Sequence, residues 1–165
     1  MSKVCYIMVG IPGAGKSSWI KDNCPDALVC SADHYHMVNG VYRFDGANLN
    51  KAHQASMRKF VDGCVRGVDK IVSDNTNVTL DQISPYYAVA KAYDYNVKVI
   101  WLNVDPLTAS KRNTHGVSEE TCKRMATSLY RLIIPPFWQV EIIKDGQGTR
   151  VYTLLNSSGT VVKPV

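Results

Sequence analysis

A glycine-rich segment near the N-terminus has the residue types and spacing of a phosphate-binding loop. Residues 10–17 read GIPGAGKS, which fits the pattern GxxxxGKS, and they lie between an apolar segment and a segment of helical pattern. Glycines at these positions let consecutive backbone N–H groups surround a β-phosphate, and the positive end of the following helix strengthens the attraction. Lys16 can reach the β- and γ-phosphates, and the Ser17 hydroxyl can coordinate Mg²⁺. A glycine-rich turn that binds nothing is the alternative.

The motif in its strand-to-helix context predicts a site for a purine nucleoside triphosphate, ATP, with Mg²⁺ as the metal ion. The chain lacks the NKxD tetrapeptide with which GTPases read guanine, and 165 residues leave no room for the added elements of a helicase or a multidomain motor. The sequence therefore favours a compact phosphotransferase. The residues predicted to bind ATP are Gly10, Ile11, Pro12, Gly13, Ala14, Gly15, Lys16, Ser17 and Ser18.

Two further groups of polar residues follow predicted strands. Asp33 comes after the second strand, and Asp74, Asn75 and Asn77 come after the third. Ligands of open parallel sheets bind at the carboxyl ends of the strands, so both groups are expected beside the phosphate-binding loop. Asp33 could take the proton of an attacking hydroxyl, or it could cap a helix that begins near His34. Asp74 could hold Mg²⁺ through water, and the two asparagines could bind substrate, although such residues also serve turns.

The elements that must position these residues alternate between strand and helix. Right-handed crossovers between parallel strands place helices on both faces of the sheet, so we predict a three-layer α/β fold with a parallel central sheet. Residues 138–143 and 150–155 flank a segment with two glycines and predict a C-terminal β-hairpin over about residues 138–156. The other predicted strands are residues 4–9, 27–30, 70–73 and 97–104, and the predicted helices are residues 16–23, 49–64, 86–92 and 118–132.

Length and composition predict one globular domain over residues 1–165. The chain is 45% hydrophobic and 20% charged, which excludes disorder and a coiled coil. Its apolar stretches are too short to cross a membrane, and the N-terminus shows no secretion signal. The five cysteines form no CxxC pair, which argues against disulfides and zinc and favours a reducing cytoplasm. The net charge of +5 favours polyanionic partners without requiring them.

Five motifs follow one another along the chain. They are GxPGxGKS at residues 10–17, SxDxxx at 31–36, Ala52-His53 within a helix, VxDNTN at 72–77 and KRNTHGV at 111–117. Their order resembles the kinase module of the 5′-hydroxyl polynucleotide kinases and of their small phage and eukaryotic P-loop relatives, over about residues 4–132.

The resemblance implies a P-loop kinase fold with a helical lid at about residues 106–134. It implies that Asp33 is the general base, that Lys16 keeps its P-loop role and that Arg112 clamps the phosphates from the lid. The places of two further family arginines are held here by His36 and by His115 or Gly116.

The acceptor implied by the resemblance is the 5′-hydroxyl of DNA or RNA. A small-molecule kinase for a nucleoside, sugar or antibiotic is one alternative, and a non-catalytic ATP-binding interaction module is another. The residues expected on the acceptor side are Asp33, His36, Asp74, Asn75, Asn77 and His115. His53 is expected to be a core histidine, with a contact to the turn at residues 74–77 as the alternative.

Overall fold

The core of the chain is a six-stranded sheet. The computed structural model describes residues 2–144 and 151–153. The strands follow the order β2-β5-β1-β6-β7-β8; the first five of these run parallel, and β8 is antiparallel to β7. The strands of this sheet are β1 (Val4–Val9), β2 (Leu28–Cys30), β5 (Lys70–Ser73), β6 (Asn96–Asn103), β7 (Gln139–Lys144) and β8 (Val151–Thr153). A separate two-stranded sheet is formed by β3 (Met37–Val38) and β4 (Val41–Tyr42).

Five α-helices pack around the sheet and give the three layers that the strand-helix alternation predicts. They are α1 (Lys16–Asn23), α2 (Leu49–Arg66), α3 (Leu80–Ala92), α4 (Pro106–Arg112) and α5 (Glu119–Arg131). Helices α2 and α3 pack against each other and cover one face. Side chains alternate along a strand, so Tyr6 of β1 points to the other face, where its ring meets Trp19 of α1 at 5.4 Å. The predicted α/β fold is confirmed.

Strand β1 is central to the site because the phosphate-binding loop follows it directly. It pairs with β5 on one side and β6 on the other, and its residues Ile7, Met8 and Val9 are fully buried. A strand buried on both faces must be apolar throughout, which explains the unbroken run that the sequence shows. The loop then turns away at Gly10, whose N–H donates to Thr76 O at 3.0 Å.

The predicted elements are confirmed with small shifts of their ends. Helix α2 runs to Arg66 and ends at Gly67, whose φ of +68° is the left-handed conformation that glycine adopts without strain. Helix α3 begins at Leu80, earlier than predicted, and contains Pro85 within its second turn. Strands β7 and β8 form the predicted antiparallel pair, while residues 145–150 and 154–165 lie outside the described residues.

The small β3–β4 hairpin was not predicted from the sequence. Its turn is Asn39-Gly40, and both residues have positive φ, +52° and +77°. Asn-Gly with two positive φ values is typical of a tight hairpin turn, so the sequence did carry the signal. The flanking strands have only two residues each, which is too short for an alternating pattern to stand out.

Two further features bear on the expectations from composition. All five cysteines are free and buried. Within the described parts of the chain, no helix combines the length and the apolar character that crossing a membrane requires.

Candidate active site

An open cleft of about 1230 Å³ lies at the carboxyl edge of the sheet. It is bounded by the phosphate-binding loop, by the segment after β2, by the turn after β5 and by the segment that joins α4 to α5. Most of the residues predicted as site residues line this one cleft, although they come from distant parts of the sequence. Those brought together are Pro12, Gly13, Ala14, Gly15, Lys16, Ser17, Ser18, Asp33, His36, Asp74, Asn75, Arg112 and His115.

The phosphate-binding loop has the backbone shape that its glycines permit. Gly13 and Gly15 have φ values of +85° and +99°, and Gly15 is followed by the first turn of α1. Lys16 folds over the loop, and its Nζ donates to Gly10 O at 2.9 Å and to Ile11 O at 3.1 Å. Burial lowers the pKa of Lys16, while the carboxylates of Asp74 and Asp33 raise it in opposition. The loop thus places the amino group of Lys16 where it could neutralise the charge of a bound phosphate chain.

Ser17 and Asp74 carry oxygen atoms that could hold a magnesium ion together with bound phosphates. Ser17 is exposed in the first turn of α1, and both residues line the cleft. Burial raises the pKa of Asp74, and the nearby Lys16 opposes that shift. Magnesium takes oxygen ligands and keeps several waters, so one hydroxyl and one carboxylate beside substrate phosphates fit it. Among residues 2–144, no cluster of three or more His, Cys, Asp or Glu side chains could hold a metal by itself.

The side chains of the turn after β5 are bonded mainly within the protein. Asn75 Oδ1 accepts from Ala32 N at 2.9 Å, and its Nδ2 donates to Ser56 Oγ at 3.3 Å. Asn77 is buried with a φ of +49°, and its Nδ2 donates to Met8 O at 2.8 Å. Asn77 is not among the residues that line the cleft. The two amides therefore brace the strands around the loop, and of these two asparagines Asn75 is the one that lines the cleft.

Asp33 lies in a short 3₁₀ turn at Ala32–His34. The residue that caps this turn is Ser31, whose Oγ accepts from Asp33 N at 3.1 Å, so the alternative of Asp33 as a helix cap is wrong. Its carboxylate is instead directed into the cleft, where Tyr42 Oη donates to Oδ1 at 3.4 Å and His115 Nε2 lies 3.7 Å from Oδ2. Asp33 therefore presents a carboxylate to the cleft that contains Lys16.

His36 lies within an aromatic cluster beside Asp33. Its side chain is 4% exposed, and its ring is 5.1 Å from that of Phe44 and 5.9 Å from that of Tyr42. Phe44 itself is 59% exposed and also lines the cleft. The cluster gives the cleft an aromatic wall beside Asp33.

His53 is not a core residue, and the expectation of a core histidine is wrong. It is exposed on α2 and lines the cleft, where desolvation lowers its pKa while the charge of Asp33 opposes the shift. The polar residue that does enter the core from α2 is Ser56, which bonds Tyr86 Oη at 2.9 Å as well as Asn75. Sequence reasoning missed Ser56. The signal was present, because it lies on the same stripe as the buried Ala52 and Phe60.

The segment from α4 to α5 covers the phosphate-binding loop. A Cβ on Gly13 would lie 2.8 Å from the carbonyl carbon of Ala109 in α4, so the two segments approach as closely as a glycine allows. Arg112 is the last residue of α4 and lines the cleft. The following loop is closed by Asn113, whose Oδ1 accepts from Val117 N at 3.0 Å and whose Nδ2 donates to Val117 O at 2.9 Å. This closure positions His115 over the cleft.

Comparison with known protein families identifies the family of this chain. The sequence model of the AAA domain, AAA_33, matches residues 6–127. The chain belongs to the AAA domain family. The matched segment of this AAA domain includes the phosphate-binding loop, Asp33 and the segment that carries Arg112 and His115.

Two relatives extend the comparison. The AAA domain is 30% identical over 140 residues to human NEDD4-binding protein 2, a match that covers 81% of this chain and 8% of that protein. It is 24% identical over 156 residues to the 2′,3′-cyclic-nucleotide 3′-phosphodiesterase of Mus musculus, a match that covers 89% of this chain and 36% of that protein. The chain thus spans well under half of the length of either relative.

Solved structures with the same fold include nucleotide complexes. The AvrRxo1-ORF1:-ORF2 complex with ATP has a TM-score of 0.64 at 13% identity and covers 93% of this chain and 57% of that one. The APS kinase CysC of Mycobacterium tuberculosis, in complex with AMPPNP and APS, has a TM-score of 0.56 at 13% identity and covers 89% and 91%. The AAA domain therefore shares the fold of these two proteins, an α/β fold with a central parallel sheet.

Proposed function

We propose that this AAA domain transfers the γ-phosphoryl group of ATP to the 5′-hydroxyl end of a DNA or RNA strand, with Mg²⁺ at Ser17 and Asp74. The observation that carries the proposal is the position of Asp33. Its carboxylate opens into the same cleft as the phosphate-binding loop and Lys16. A hydroxyl bonded to Asp33 would thus face phosphates bound at Lys16.

The residues on the ATP side would stabilise the charge that develops during transfer. Phosphoryl transfer passes through a loose transition state whose charge lies on the equatorial oxygens, so positive groups around those oxygens lower the barrier. Lys16 supplies one such charge from the loop, and Arg112 supplies another from α4. Bound Mg²⁺ would neutralise phosphate charge between them. Asp33 would accept a hydrogen bond from the acceptor hydroxyl and then its proton.

The acceptor side has features that suit a nucleotide. The rings of His36, Tyr42 and Phe44 form an aromatic cluster, and a base could stack on the exposed ring of Phe44, a contact worth roughly 1–3 kcal/mol per base. The net charge of +5 favours a polyanion. The mouse relative is named for a cyclic nucleotide, which is consistent with a nucleotide acceptor here.

The direct test compares acceptors. The protein is incubated with ATP labelled at the γ-phosphate and, at equal concentration, with 5′-hydroxyl DNA and RNA oligonucleotides, the matching nucleosides and simple sugars. We expect label on the oligonucleotides above that on the nucleosides. Binding of the single strand should weaken with salt, with a slope of about −0.7 per phosphate contacted. A nucleoside or sugar labelled as well as the oligonucleotide would instead establish a small-molecule kinase, and tight ATP binding without transfer to any acceptor would establish a binding module.

Asp33→Asn tests the role of the carboxylate. Asparagine keeps the size of the side chain but cannot take a proton, so turnover should fall by about 10²-fold or more while ATP affinity changes only a few-fold. The matched control is Asp62→Asn, which removes an exposed carboxylate from α2 that pairs with Arg66 in the same helix. Equal losses of ATP binding and turnover in Asp33→Asn would indicate that Asp33 binds the nucleotide rather than the acceptor.

A further inference from the structure

To act as a base, Asp33 needs other residues to orient its carboxylate, because no contact within its own 3₁₀ turn at Ala32–His34 fixes that group. Its side chain is 51% exposed and turns about only two bonds from the backbone. A general base must lie within about 2.6–3.2 Å of the proton that it removes, so a carboxylate that rotates freely in water would seldom be oriented correctly. Groups that hold it should therefore contribute to turnover.

Two residues from different parts of the fold contact the two carboxylate oxygens. Tyr42, in β4, donates to Oδ1 at 3.4 Å, and His115, in the loop between α4 and α5, has Nε2 3.7 Å from Oδ2. The rings of Tyr42 and His115 also pack edge to face, with centroids 4.2 Å apart. The three side chains thus form one cluster that joins the β3–β4 hairpin to the loop that follows Arg112.

We infer that Tyr42 and His115 are positioning residues that hold the Asp33 carboxylate toward the acceptor hydroxyl, and that His115 makes this orientation depend on the α4–α5 segment being seated over the cleft. The inference rests on the proposed function insofar as it takes Asp33 as the acceptor-side base. It assigns His115 to Asp33 rather than to direct contact with substrate phosphates.

The arrangement leaves room for the reaction. A carboxylate offers about four lone-pair positions, and the hydrogen bond from Tyr42 uses one of them, on Oδ1. The acceptor hydroxyl can therefore donate to a remaining position. As the acceptor oxygen bonds to the γ-phosphorus, the bond from that phosphorus to the ADP oxygen breaks, and the hydroxyl proton passes to Asp33. Tyr42 stays protonated throughout, because burial, and then the charge of Asp33, raise its pKa to about 12.

The kinetic test uses conservative variants. Tyr42→Phe removes only the hydroxyl and keeps the ring contacts, and we expect turnover to fall about 10-fold with little change in the KM for ATP. Tyr35→Phe is the matched control, since Tyr35 belongs to the same segment but does not line the cleft. His115→Ala should lower turnover by a similar factor, and His115→Gln, whose amide nitrogen can replace Nε2, should restore most of it.

A double-mutant cycle separates positioning from a structural role. If Tyr42 acts through Asp33, Tyr42→Phe should have little further effect in the Asp33→Asn background. A full 10-fold further loss there, or no rescue by His115→Gln, would overturn the inference even when the wild-type protein phosphorylates oligonucleotides.

The cluster can also be tested without any acceptor. Protons of the Tyr42 and His115 rings should give a nuclear Overhauser effect in the nucleotide-free protein, because the ring centroids are 4.2 Å apart. Absence of that signal would overturn the inference whatever the acceptor is. Its presence, together with a failure of the oligonucleotide assay, would refute only the proposed acceptor.

Discussion

Replacing Gly13 with alanine would test the contact between the phosphate-binding loop and α4. Gly13 has a φ of +85°, and a Cβ there would lie 2.8 Å from the carbonyl carbon of Ala109 and closer still to its oxygen. Real Cβ atoms essentially never approach other atoms within 3.0 Å, and the neighbour here is helix backbone, which cannot rotate away. The substitution therefore combines backbone strain with a clash.

Gly15 provides the control that separates these two effects. Its φ is +99°, yet a Cβ there would meet nothing within 4 Å. Alanine at either position should cost about 1–2 kcal/mol for the left-handed conformation. Only Gly13→Ala should add the overpacking penalty, about 1–3 kcal/mol. For a domain of this size 1 kcal/mol lowers Tm by about 2–4 °C, so the expected falls are about 2–8 °C for Gly15→Ala and about 4–20 °C for Gly13→Ala.

The assay is thermal unfolding of the nucleotide-free protein, followed by circular dichroism for the wild type and both variants. Omitting nucleotide keeps any difference in ATP binding out of the comparison. Equal Tm values for the two variants would refute the reasoning, since they would mean that α4 does not rest on the loop in solution.

Three other perturbations have defined outcomes. Lys16→Ala should remove nearly all phosphoryl transfer in the labelled-ATP assay, because the charge on the transferring group loses its partner; wild-type turnover would exclude this loop as the catalytic one. Asn75→Ala leaves the buried N–H of Ala32 unpaired and should lower the free energy of unfolding in urea by about 1–3 kcal/mol; an unchanged midpoint would contradict the network. Desolvation lowers the pKa of His53 in the folded protein, so on acidification the unfolded chain binds this proton before the folded protein does. The free energy of unfolding should therefore decline as the pH falls below about 6.5. The accompanying fall in Tm should be smaller in His53→Gln.

Local signals made much of the fold predictable. The glycines of residues 10–17 permit the backbone conformation of the phosphate-binding loop, and the uniformly apolar β1 indicates a buried central strand. The position of the loop at the end of that strand could therefore be predicted from the sequence. The turn at Gly67 was equally local, because a glycine after a periodic segment marks the end of a helix.

The site needed information that the sequence distributes over distant positions. Asn75 is bonded to Ser56 and to Ala32, neither of which is near it in the sequence, so the residue could be read as a ligand of the substrate. His53 has the spacing of the apolar stripe of α2, but periodicity does not show where the buried face ends and the cleft begins. The contact between His115 and Asp33 depends on how the α4–α5 segment is seated, which no local pattern encodes.

The backbone and the side chain of Asp33 are held by contacts of very different strength. The backbone is fixed from within, because Asn75 binds the preceding residue Ala32 through a buried hydrogen bond. The carboxylate is held at the surface by Tyr42 and His115, and a contact between such exposed groups is worth at most about 1 kcal/mol. These contacts leave lone-pair positions of the carboxylate open, so it can accept a hydrogen bond from an acceptor hydroxyl while Tyr42 and His115 stay in contact with it. Weak contacts on the carboxylate and a strong one on the backbone therefore suit a group that must stay in place while substrates bind and leave.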